Sequence, residues 1–66
     1  MPIVLNGERR DVPLGCSVIE LLDFLRLEPS RVAVEVDGEI VKAARWAETL
    51  LKPDAKVEIV HFVGGG

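Results

Sequence analysis

Tyrosine is absent, and Phe24, Trp46 and Phe62 are the only aromatic side chains. A platform for single-stranded nucleic acid needs stacked aromatics interleaved with basic residues, and this chain offers no such pattern. Its 8 Lys and Arg stand against 11 Asp and Glu, a formal net charge of -3. Nucleic-acid binding calls for a basic face, so that class of partner is not expected. A basic patch on a partner protein would instead be drawn to this acidic surface. Cys16 is the single cysteine, so no disulfide closes within the chain, as expected in a reducing cytoplasm. No apolar run approaches the length of a membrane span. Met1-Pro2-Ile3-Val4 lacks the basic region and cleavage pattern of a signal peptide. His61, the one histidine, has no second histidine or other nearby ligand and reads as a strand residue rather than part of a metal site.

What is present is dense in aliphatics. With 66 residues and a 48% hydrophobic share, nearly every aliphatic side chain must pack for so small a core to offset chain entropy. Ile3-Val4-Leu5 reads as a strand and Asn6-Gly7 as a type I′ turn. Glu8 to Val12 returns as an edge strand blunted by Arg9, Arg10 and Asp11. Pro13-Leu14-Gly15 breaks it. Ser17-Val18-Ile19-Glu20 is a capping box, in which the serine hydroxyl and the glutamate each satisfy a backbone N–H. A helix to about Leu27 follows, with Val18, Leu21, Leu22 and Leu25 on one apolar stripe and Pro29 forbidding continuation.

Arg31 to Val36 is β-rich, Asp37-Gly38 is a second hairpin turn, and Glu39-Ile40-Val41 is its return strand. Lys42 to Leu51 reads as a short helical turn plus loop, with Trp46 covering one end of the core. Pro53-Asp54 marks a turn before Val57-Glu58-Ile59-Val60, a strand continuing towards His61-Phe62-Val63. That apolar last strand suits a central position in the sheet. The order β-β-α-β-β-loop-β predicts an α+β domain with one main helix on one sheet face. Residues 1–66 form a single domain, with 63–66 expected to be a flexible tail.

Three of the six glycines, Gly64, Gly65 and Gly66, follow directly on that strand. Without Cβ, such a tail threads into clefts that exclude any side chain. Its tip is expected to carry an α-carboxyl, ionised at neutral pH. A carboxylate is a poor electrophile. Converting it to an acyl-adenylate supplies a leaving group, and attack by sulfur then leads to a thiocarboxylate. No residue pattern here suits ATP binding, so the activating catalyst is another protein. Read without the preceding domain, the same glycines describe only a frayed terminus.

The whole chain resembles the ubiquitin-like β-grasp proteins, and within them the ThiS sulfur carriers of thiamin thiazole biosynthesis. The resemblance is carried by Asn6-Gly7, by Gly15-Cys16-Ser17-Val18-Ile19-Glu20-Leu21-Leu22, and by Val34-Glu35-Val36-Asp37-Gly38-Glu39-Ile40-Val41. Arg45-Trp46-Ala47-Glu48, Val57 to Val63 and the glycine end complete it. The Arg-Trp segment favours this family over the molybdopterin-synthase small subunit, which shares fold and tail. The resemblance implies a mixed sheet of about five strands with the first and last adjacent and parallel. It implies adenylation of Gly66 by an E1-like enzyme, ThiF, which uses ATP and magnesium. Sulfur would arrive through a persulfide pathway with a cysteine desulfurase or similar donor, and thiazole synthase, ThiG, would accept it. The chain itself would be a protein cosubstrate rather than an enzyme. Gly65 and Gly66 match the family's terminal pair, and Gly64 is one glycine more.

Period-two alternation splits the last strand into Val57, Ile59, His61 and Val63 on one face and Glu58, Val60 and Phe62 on the other. The resemblance implies that Val57 and Ile59 face the helix, which leaves Val60 and Phe62 on the open face before the tail. Val60, Phe62 and Val63 are therefore the expected partner-binding surface, with Gly64 and Gly65 threading the partner's active site. The other reading of Phe62 folds it over the core rim. Cys16 stands just before a helix N-terminus, where the dipole favours a thiolate, but as a small half-buried filler it needs no such role. A molybdopterin or dual-use carrier, a ubiquitin-like modifier and an inert β-grasp interaction module are the alternatives.

Overall fold

The structure is a computed structural model, and it describes residues 1–63. Five strands form one mixed sheet: β1 (Pro2–Leu5), β2 (Glu8–Asp11), β3 (Val32–Val36), β4 (Glu39–Val41) and β5 (Lys56–His61). Their order across the sheet is β2-β1-β5-β3-β4. One helix, α1 (Val18–Phe24), covers one face. The arrangement is the β-grasp expected from the sequence, with β1 and β5 adjacent and parallel.

Both hairpin turns have the conformation their residues favour. Asn6 and Gly7 have φ of 49° and 84°, and Asp37 and Gly38 have φ of 49° and 87°. Positive φ at both central positions defines the type I′ turn, whose twist matches the flanking strands. The β1–β2 turn pairs Leu5 with Glu8. The β3–β4 turn pairs Val36 with Glu39 and so brings Glu35 opposite Ile40.

Helix α1 opens on the expected capping box. Glu20 N–H donates to Ser17 Oγ at 3.2 Å, and Ser17 N–H donates to Glu20 Oε1 at 2.8 Å. The bond from the Ser17 backbone, with that from its side chain, holds the Glu20 carboxyl below the usual carboxylate range. The helix ends earlier than the sequence suggested, at Phe24 rather than about Leu27. Pro29 is not the cause. Arg26 takes φ 59°, Leu27 N–H donates to Leu22 O, and Arg26 N–H donates to Asp23 O. This paired closure is the Schellman motif, here with arginine where glycine is usual. Residues Pro29–Arg31 form a 3₁₀ turn before β3.

Ile3, Val18, Leu21, Leu22, Val34 and Val57 are fully buried between sheet and helix. Trp46 closes one end of this core after the 3₁₀ turn Ala43–Arg45, and its indole N–H donates to Val41 O at 2.8 Å. Among the described residues, every buried side-chain polar atom has a hydrogen-bond partner. Among the described residues no helix is long and apolar enough to cross a membrane.

Asn6 has a second role beyond the turn. Its Oδ1 accepts from Ile59 N–H at 2.8 Å, and its Nδ2 donates to Ile59 O at 3.2 Å. The side-chain amide thus continues the β1–β5 ladder where the β1 backbone turns away. Asn6→Ala removes both bonds and puts a Cβ-bearing residue without local compensation at positive φ. The expected loss is about 2–3 kcal/mol in urea unfolding. Asn6→Gly, which relieves the backbone but not the bonds, is expected to fall between alanine and the parent. Equal stability of Asn6→Ala and the parent would remove Asn6 from this role.

Candidate functional site

The strand that leads to the glycines is the middle of the sheet. β5 is bonded to β1 on one side and to β3 on the other, with Val32 opposite His61 and Val36 opposite Val57. One further bond, from Phe62 N–H to Arg31 O at 2.8 Å, carries the ladder past the strand's end. The chain is therefore held to Phe62, beside the 3₁₀ turn that follows α1. Gly64, Gly65 and Gly66 lie outside the described residues.

Alternation along β5 sorts its side chains as the sequence suggested. Val57 and Ile59 are buried under α1, whereas Val60 and Phe62 are 59% and 58% exposed. Phe62 does not fold over the core rim. Val63 is exposed beyond it. Ala33 stands opposite Val60, and Ile40, 76% exposed, extends the apolar surface towards β4. The structure thus brings Val60 and Phe62 together on the face opposite the helix, next to the departing chain. Sequence reasoning missed Ile40, although the two-residue Asp37-Gly38 turn already fixes it opposite Glu35 and hence on that face.

Other singled-out residues fall elsewhere. Cys16 is 5% exposed and belongs to the core. Burial pushes its thiol pKa up, and Glu20 adds to the shift. Of the two readings of Cys16, the structure supports the small apolar filler, more deeply buried than the half-buried position expected. It sits at the start of α1, whereas the chain leaves the sheet near the helix's other end. His61 is exposed on β5, and among the described residues no group of metal-ligating side chains comes together. Arg9, Arg10, Lys42 and Arg45 are exposed, as expected of solvated residues. Arg45 meets Glu48 at 2.6 Å in a surface pair of small energetic weight.

A rigid sheet carrying a glycine run from its central strand, with bare apolar side chains beside the exit, can dock on another protein and present its end there.

Comparison with known proteins agrees with this geometry. The model of the ThiS family matches residues 3–66. The sulfur carrier protein ThiS of Bacillus subtilis is 42% identical over 50 residues, which cover 76% of each chain. A thiazole synthase of Magnetococcus marinus is 38% identical over all 66 residues, and the chain spans only about a fifth (20%) of that protein's length. The crystal structure of the thiamine biosynthesis protein ThiS from Geobacter metallireducens superposes with a TM-score of 0.87 at 32% identity, both chains covered in full.

Proposed function

The chain belongs to the ThiS family of sulfur carriers, and on that premise we propose that its Gly66 carboxyl is the atom group that is loaded with sulfur for thiamin thiazole formation. The observation that carries this reading is the position of Gly64-Gly65-Gly66 just beyond the central strand of this fold, with only Phe62 and Val63 between. An E1-like adenylating enzyme takes the tail, with Gly64 and Gly65 passing through a cleft too narrow for side chains. Attack of the carboxylate on ATP, with magnesium held by that enzyme, forms the acyl-adenylate and releases pyrophosphate. A persulfide sulfur from a cysteine desulfurase pathway displaces AMP. A thiol then cleaves the acyl persulfide, leaving the thiocarboxylate on Gly66 and the disulfide on the donor side. Thiazole synthase is the acceptor, a role that agrees with the similarity to a protein of that name. Val60, Phe62 and Val63 form the docking surface. The chain is a cosubstrate, and its partners supply catalysis.

The decisive measurement is the intact mass of the protein after incubation with the adenylating enzyme, ATP, magnesium, the desulfurase and cysteine. The expected product has one oxygen exchanged for sulfur, mapped by fragmentation to Gly66. An unchanged mass, sulfur found on Cys16 instead, or a native chain that continues untrimmed past Gly66 would overturn the reading.

A further inference from the structure

Glu35 of β3 and Glu58 of β5 are direct partners in the antiparallel pairing. Directly opposed residues project from the same face with Cβ atoms about 5 Å apart, and like charges there work against the sheet. Val34, Val57 and Ile59, their neighbours along the strands, are buried beneath α1, so both carboxylates belong to the open face. Ile40 is the partner of Glu35 on its other side. The next row towards the tail pairs Ala33 with Val60. Ala33, Glu35, Ile40, Glu58 and Val60 line one shallow depression. Among the described residues the one ion pair joins Arg45 to Glu48, so no cationic side chain lies within ion-pair distance of Glu35 or Glu58.

Two facing anions inside an apolar surround fit a cation that arrives carrying apolar surface of its own. We propose that Glu35 and Glu58 together receive a basic side chain, an arginine or lysine, presented by the adenylating partner, while Ile40, Val60 and Phe62 are covered by the surface around it. The inference rests on the carrier reading above and names the chemistry of its docking face. An arginine suits the pair best, because its planar fork can donate to two carboxylates at once.

The location favours that occupant. Glu58 lies on the strand that becomes the tail, and the eight residues from it to Gly66 reach at most about 28 Å. A protein that holds Gly66 in its active site is therefore never farther than that from the depression. A second copy of this chain, docked by a twofold axis through the same patch, would bring four carboxylates together without a cation between them.

The test uses the full chain and its adenylating enzyme, with carrier-dependent ATP–pyrophosphate exchange as the readout across a series of salt concentrations. Glu35→Gln/Glu58→Gln keeps shape and removes the repulsion, so its thermal midpoint is expected to be no lower than the parent's. Its KM as carrier is expected to rise about tenfold with kcat little changed, and the salt dependence of KM is expected to flatten. Glu8→Gln/Asp23→Asn makes the same change in net charge away from the depression and is expected to leave both quantities unchanged. Parental KM and salt slope in the Glu35/Glu58 variant would overturn the inference. So would an equal rise in the control pair, which would assign the effect to overall charge. A dimer of the parent chain in sedimentation that dissociates in the Glu35/Glu58 variant would give the face to a second copy instead. Absence of any exchange with the parent chain would instead sink the carrier reading itself.

Discussion

Deleting Gly66 is expected to cut sulfur loading by at least about 100-fold while leaving the domain folded. The shortened chain still ends in a glycine carboxyl, so its chemistry is intact and only its reach is lost. One residue fewer withdraws the reacting carbon by roughly 3.5 Å, and a misplacement of even about 1 Å costs a reaction on the order of 100-fold. The core lies between Ile3 and Ile59, and the last described ladder bond is made by Phe62. Circular dichroism and the thermal midpoint should therefore match the parent. Adenylate formation and intact mass measure the loss together. A shortened carrier loaded at the parental rate would remove Gly66 from the reaction.

Leu21→Ala is expected to leave a large fraction of the protein unfolded at room temperature. Leu21 is fully buried (0% exposed) on α1 against the sheet. Truncating such a leucine removes transfer free energy and leaves a cavity, at a cost of about 3–5 kcal/mol. A domain of this size draws only about 3–5 kcal/mol in total from a single core, so the change consumes nearly all of it. Phe24, 48% exposed on the same helix, provides the comparison. Phe24→Ala deletes more atoms from a less buried site and should cost about 1 kcal/mol. Urea unfolding of the pair decides the matter: a Leu21→Ala loss no larger than that of Phe24→Ala would mean the helix face is misassigned.

Local chemistry made much of this fold legible beforehand. Asn6-Gly7 and Asp37-Gly38 announce hairpins because few residues accept positive φ at two successive positions. Ser17 and Glu20 mark the helix start because the capping box is closed within four residues. The features that stayed hidden depend on partners distant in the chain. The C-terminal closure of α1 uses Arg26, which carries no glycine signal, and Leu27 bonding back to Leu22. The amide of Asn6 meets Ile59 only once β1 and β5 lie side by side. The same holds at the candidate site. Alternation split β5 into two faces, and the family resemblance turned Val57 and Ile59 inward, which left Val60 and Phe62 on the open face. The opposition of Glu35 and Glu58 needed the β3–β5 register, which neither strand encodes by itself. Cys16 was read as a half-buried filler, and only the packed core showed how deeply it is buried.

The order of strands also bears on how the protein is made. β5 comes last in chain order among the described strands, yet it is the one on which β1 and β3 both lean. A nascent chain that stalls before residue 56 is left with two separate hairpins and a helix that has no continuous surface to cover. Such hairpins are marginal in water. Truncated products that lack β5 are thus poor mimics of the finished domain, and none would present the apolar face that Val60 makes on the assembled sheet.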